Sequence, residues 1–275
     1  MKKIIILTGD ELRHQYLRRL ISLSPGVEVL ASYCEGTEKS LQSRVTANEN
    51  SSKLMKRHVS MRLQSEEDFF SSFTLLTEDK SAPIRIKKGA INDKEVVEKI
   101  ILAAPDLIVC YGSSLIKGEL LAKFAGRFLN VHLGLSPYYR GSGTNVWPLI
   151  NNEPEYVGAT FMYIDPGIDT GEIIHQMRAK ICFGDTPHQI GNRLISDISL
   201  TYAELIRNFD RLIKMRQPDN IPGKLYYIKD FDEAACQKLY ANFAQGLVEK
   251  YLALRDTRER AVPLLENPGI RKSRG

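Results

Sequence analysis

Short apolar runs alternate with amphipathic stretches along the first half of the chain: KKIIIL, VEVLASY, DLIVCY and RFLNVHL, separated by segments such as GDELRHQYLRRLISL. Uninterrupted apolar runs of this length fit strands covered on both faces, and the segments between them carry helical spacing. Strand-helix-strand repetition is what a parallel sheet requires. The expected fold is therefore α/β, a doubly wound, mostly parallel, Rossmann-like sheet, with any ligand in the crevice beyond the carboxyl ends of the strands.

Within that frame, Leu12, Tyr16 and Leu20 mark one side of a first helix, and APIRIKKG reads as a short strand. Asn92 with Glu95 three residues on reads as a capping box for a helix ending before Pro105, and a further helix is expected over 115–125. Residues 36–62 are polar and aperiodic and read as a long loop or insertion. GATFMYID and GEIIHQMRAKIC read as two strands joined by PGIDT. Thr186, Pro187 and Gln189 open a long helix whose apolar face carries Ile190, Leu194, Ile198, Leu205 and Phe209. After the linker QPDNIPG come a strand, KLYYIKDF, and a closing helix from Asp232 to Asp256. The division expected is a main domain over 1–214 and a small, mostly helical C-terminal appendage over 215–275, with one strand.

A chain of 275 residues, 43% of them hydrophobic, fills a substantial core. The N-terminal apolar run stops at Leu7, too short for an export signal, and no later stretch is long and apolar enough to span a bilayer. Cys34, Cys110, Cys182 and Cys236 lie far apart without metal spacing. They read as reduced, mostly buried thiols of a cytoplasmic protein that needs neither disulfide nor metal. The net charge of +5 sits largely in KLMKRHVSMR and the tail RKSRG, without an aromatic-rich basic motif, so solvated surface is favoured over nucleic-acid binding. A single glycine in LTGDELRH also excludes a dinucleotide fingerprint.

Two polar sites interrupt the apolar pattern. Asn130 and His132 share one face at the end of a buried strand, opposite Leu129 and Val131, and a cleft suits such a polar pair better than a core. Asp169 sits in the Gly- and Pro-rich turn of YIDPGIDTGEII. Together these supply an amide donor, a group that titrates near neutrality and a carboxylate, a set suited to attack by an amine on a carbonyl. In that chemistry Asn130 and an N–H of His132 stabilise an oxyanion, while Asp169 holds the imidazole and accepts the amine's proton. Taken singly, each has a plainer reading as hydrogen-bonded structure or an Asx turn.

LNVHLGLSPYYRG followed by VGATFMYIDPGIDTGEII closely resembles the Asn-x-His, Leu-Pro-x-x-Arg-Gly and Asp-x-Gly-x-Asp-x-Gly signature of the folate-dependent formyltransferases, over Asp106 to Ile174. The resemblance implies the formyltransferase fold, Asn130, His132 and Asp169 as catalytic residues, and N10-formyltetrahydrofolate as co-substrate. It further implies that Tyr111, Gly112, Ser113, Ser114 and Leu115, with Asp165, Gly167 and Ile168, enclose the pterin largely through main-chain contacts. Gly134-Leu135-Ser136-Pro137 departs from the family's usual Ser-Leu-Leu-Pro. TGDEL lacks the Gly-Ser-Asn that glycinamide ribonucleotide transformylase uses for phosphate, and the late segment reads helical where the methionyl-tRNA enzyme carries a β-barrel. RGSGTNVWPL is similar instead to sugar-nucleotide N-formyltransferases, which makes Arg140, Asn145 and Trp147 candidate acceptor-site residues, although Trp147 also suits the core. The implied activity is formylation of a small-molecule amine, a nucleotide-linked amino sugar foremost, by a protein without membrane or nucleic-acid partners and with a homodimer as its candidate assembly. Its rivals are methionyl-tRNA formylation, formyltetrahydrofolate hydrolysis and silent folate binding.

Overall fold

The computed structural model describes residues 1–38 and 40–270; the basic tail at 271–275 lies outside the described residues. The chain runs β1 (Lys2–Gly9), α1 (Leu12–Ser22), β2 (Val27–Glu35), α2 (Leu41–Ala47), α3 (Lys53–Leu76), β3 (Pro83–Ile86), α4 (Lys94–Ala103), β4 (Leu107–Tyr111), α5 (Gly118–Lys123) and β5 (Phe128–His132). It continues with β6 (Tyr139–Gly141), α6 (Trp147–Ile150), β7 (Gly158–Met162), β8 (Ile173–Arg178), α7 (Pro187–Arg207), β9 (Lys224–Tyr226), α8 (Glu233–Ala244), α9 (Leu247–Ala253) and α10 (Arg255–Arg260).

Seven strands form one sheet in the order β3-β2-β1-β4-β5-β7-β8. The strands from β3 to β5 pair in parallel, and β7 and β8 add antiparallel. Alternation along the strands divides the core in two. Ile4, Ile6, Val109, Leu129 and Val131 pack with Leu17 and Ile21 of α1 and with Ile190, Leu194, Ile198 and Tyr202 of α7. Ile5, Leu7, Ile108, Cys110 and Phe128 pack with Val97 and Ile100 of α4 and Leu120 of α5. Helices thus cover both faces, and the sheet is doubly wound as its apolar runs predict. The Tyr202 hydroxyl ties α7 to the sheet, 2.7 Å from the Cys110 carbonyl and 2.6 Å from that of Leu129. Cys34, Cys110 and Cys236 are free and buried, and Cys182 is free and exposed. Among the described residues no helix is long and apolar enough to cross a membrane.

Several elements differ from expectation. Residues 36–62 are not a loop: they contain α2 and the start of α3, each opened by a serine whose hydroxyl accepts an N–H, Ser40 from Ser43 and Ser52 from Met55. Their narrow apolar stripe, with Met55 and Val59 buried, is too dilute to register as a period. On α1 the buried side is His14, Leu17, Arg18 and Ile21, because Arg18 finds Asp79 and Ser81 as partners. Asn92 is not the helix cap; Asp93 is the N-cap residue of α4. The helix expected over 115–125 shrinks to α5, and Phe209 lies beyond α7 in a short 3₁₀ turn. Gly246, at φ +79°, breaks the closing helix into α8 and the helices after it.

Beyond residue 214 the chain packs back on earlier elements. β9 pairs in parallel with β6, and α8 packs on α3 and α6. This pairing brings late residues to the loop that follows His132.

Candidate active site

β5 ends with Asn130 half-buried and His132 buried, on the face opposite Leu129 and Val131. Asp169 lies on the loop between β7 and β8 at φ +53°, in the left-handed region that a non-glycine residue seldom adopts. The fold brings the two motifs together: His132 Nδ1 is 3.3 Å from Asp169 Oδ2. On the other side of the ring, Nε2 lies 2.9 Å from the Tyr139 carbonyl and 3.3 Å from Thr144 Oγ1, and Thr144 donates to the Leu133 carbonyl. With a carbonyl on one nitrogen and a carboxylate facing the other, the imidazole is held in plane by its neighbours. Among the described residues the hydrogen-bond partners of the ring are all on Nε2, and Nδ1 has the Asp169 carboxylate as its neighbour. Asn130 makes no side-chain hydrogen bond among the described residues, so its amide is the free donor of the group.

The loop between them is fixed from the sheet. Thr160 on β7 accepts the Ser136 N–H at 2.9 Å and donates to the Gly134 carbonyl at 2.7 Å, and Gln176 on β8 donates to the Ser136 carbonyl at 2.7 Å. Gly134 is required by close approach, since a Cβ there would lie 2.5 Å from His132 Nε2. Gly141 donates its N–H to Asp169 Oδ2 at 2.8 Å. This contact is made by backbone and carries no residue-type signal beyond the glycine itself.

The loop after β4 is braced from β2. Glu35, fully buried, accepts from Lys88 Nζ at 2.9 Å, the Gly89 N–H at 2.8 Å and the Ser114 N–H at 2.6 Å. Burial pushes its carboxyl up, but the Lys88 ammonium and the two N–H groups outweigh that and hold it below the usual carboxylate range. Asn92 adds a second brace, donating to the Leu115 carbonyl and accepting the Lys117 N–H. Tyr111 is buried, Gly112 sits at φ +69°, Ser113 and Ser114 are half-buried, and Leu115 is exposed. In the opposite loop Asp165 accepts the Gly167 N–H and the Thr170 hydroxyl, leaving Ile168 outside.

Of the candidate acceptor residues, Trp147 is buried and stacks on Tyr226 with ring centroids 4.2 Å apart. Tyr226 stacks in turn over Tyr139. Even so, the Trp147 indole nitrogen and Arg140 Nε are buried without a hydrogen-bond partner among the described residues. Asn145 turns toward α7, where a Cβ on Gly191 would lie 3.0 Å from its Nδ2. Among the described residues no group of three or more His, Cys, Asp or Glu is arranged to hold a metal.

Residues 2–204 match the formyl transferase family, and the chain belongs to it. It is 36% identical over 114 residues to methionyl-tRNA formyltransferase of Desulforamulus reducens, covering 42% of this chain and 35% of that protein. It is 32% identical over 129 residues to GDP-perosamine N-formyltransferase of Brucella melitensis, covering 46% and 49%. The matched stretches thus span less than half the length of these relatives. A sugar N-formyltransferase from Shewanella sp. superposes with a TM-score of 0.54 at 17% identity, over 88% of this chain and 87% of that one, and so shares the fold.

Proposed function

We propose that the protein transfers the formyl group of N10-formyltetrahydrofolate to the amine of a small molecule, foremost a nucleotide-linked amino sugar. The observation that carries this reading is the pairing of His132 with Asp169 beside the uncommitted amide of Asn130. The two braced loops suit the pterin: main-chain groups line them, and Leu115 and Ile168 offer apolar surface to a flat ring. The bound co-substrate supplies an electrophilic formyl carbon. Asn130 donates to the formyl oxygen as negative charge builds there. Asp169 accepts the proton that the attacking amine loses, directly or through water, and His132 holds the carboxylate in place; the formyl C–N10 bond then breaks, N10 takes up a proton and tetrahydrofolate leaves.

The unpartnered donors of Arg140 and Trp147 support an acceptor rich in oxygen, as a sugar nucleotide is. Likeness to the Brucella sugar enzyme supports the same class. Identity with the tRNA enzymes favours methionyl-tRNA as a second reading. A panel of amino-sugar nucleotides, GDP-perosamine included, and initiator methionyl-tRNA, each incubated with the folate and read by mass for formyl addition, separates the two.

A further inference from the structure

The turn that carries Asp169 is held unevenly. Its own Asp165 spans it, accepting from the Gly167 N–H before Asp169 and from the Thr170 hydroxyl after it. The carbonyls of its second half are held from outside the matched family region: the Gln217 side-chain amide donates to the Asp169 carbonyl at 2.9 Å and to the Gly171 carbonyl at 2.7 Å. Both hydrogens of one amide are thereby used on a single turn. The register that allows this is set two residues earlier, where Met215 and Ile173 exchange backbone hydrogen bonds of 2.9 and 2.7 Å.

Asp169 needs such support. Its left-handed backbone is unfavourable for a residue with a Cβ, and its carboxylate must meet both the Gly141 N–H and His132. A small rotation of the turn would swing the carboxylate away from the imidazole. We infer that Gln217 is a positioning residue for formyl transfer, fixing Asp169 against His132 through the two carbonyls of the turn. This rests on the function proposed above.

Three substitutions test it. Gln217→Glu keeps the shape but replaces the donor with a carboxylate facing two carbonyls, Gln217→Leu removes all polarity, and Gln217→Lys keeps a donor. With the acceptor found by the panel, the Glu and Leu variants are expected to lose on the order of tenfold to a hundredfold in kcat, with folate KM unchanged and Lys retaining most activity. A second measurement needs no acceptor. The imidazole nitrogen resonances of His132 in Gln217→Glu and Gln217→Leu should move from the native position toward that of Asp169→Asn, in protein that still melts cooperatively. Native resonances in the Glu and Leu variants, or native kcat in both, would overturn the assignment. Absence of turnover with every acceptor would count against the proposed function and leave the resonance test to decide Gln217.

Discussion

His132 on β5 and Asp169 on the β7–β8 loop face each other across 3.3 Å, with the Gly141 N–H bound to the same carboxylate oxygen. Replacing Asp169 with asparagine keeps the size and removes the charge. Turnover is expected to fall roughly a hundredfold or more, the scale of a lost acid-base partner, with folding and folate affinity close to native. His132→Asn should act similarly, and the double variant should be little worse than either single, as for residues working as a unit. Single-turnover rates with melting curves check this; near-native turnover in Asp169→Asn would make the turn purely structural.

Gly141 has φ +91°, and a Cβ there would lie 2.1 Å from the Tyr226 carbonyl. Gly141→Ala therefore has to part β6 from β9, at a cost of about 1–3 kcal/mol for backbone strain alone. Because the same residue donates to Asp169, activity should fall further than stability. Equal loss of the two, by urea titration and rate, would separate the β6–β9 pairing from the site.

Glu35→Gln leaves the Lys88 ammonium without its carboxylate and weakens the acceptor that braces the loop after β4. Because Glu35 is buried but the Lys88 side chain is 26% exposed, the loss should be about 1–3 kcal/mol. Binding of 5-formyltetrahydrofolate should weaken in the same variant, measured by calorimetry, while a retained affinity would show that the Ser114 loop holds its shape without the Glu35 carboxylate.

Acid stability should depend on His58 and His188, which share the Tyr240 hydroxyl at 3.0 and 3.3 Å. Burial pushes His58 down to about 4, and burial with the charges of His58 and Arg62 pushes His188 down to about 3, from the ordinary 6.5. Below 6.5 the unfolded chain binds protons that the folded state refuses. The stabilisation is full above pH 6.5 and is lost as pH falls, toward about 4 for His58 and about 3 for His188, by up to about 1.4 kcal/mol per pH unit for each histidine. His58→Phe should flatten the decline of Tm across that window; an unchanged slope would place the sensitivity elsewhere.

Much of this arrangement is readable in the residues. Strands buried on both faces betray themselves as apolar runs, and the polar interruptions at Asn130 and His132 stand out because period two puts them on one face. Asp169 follows from its turn composition and the family motif. Gln217, Glu35 and Asn92 leave no such mark, since each acts on the backbone of residues distant in sequence, where any side chain could stand. The helices α2 and α3 are hidden for a different reason: their polar surface is wide and their buried stripe narrow, so tertiary contact decides what periodicity does not.

Formyl transfer itself is decided by following an isotopically labelled formyl carbon from N10-formyltetrahydrofolate, with and without the panel of amine acceptors. Label is expected to stay on the folate until an amino-sugar nucleotide is added and then to appear on that amine, with Asp169→Asn abolishing most of the transfer. Release of the label as free formate at the same rate without any acceptor would contradict this and identify a hydrolase.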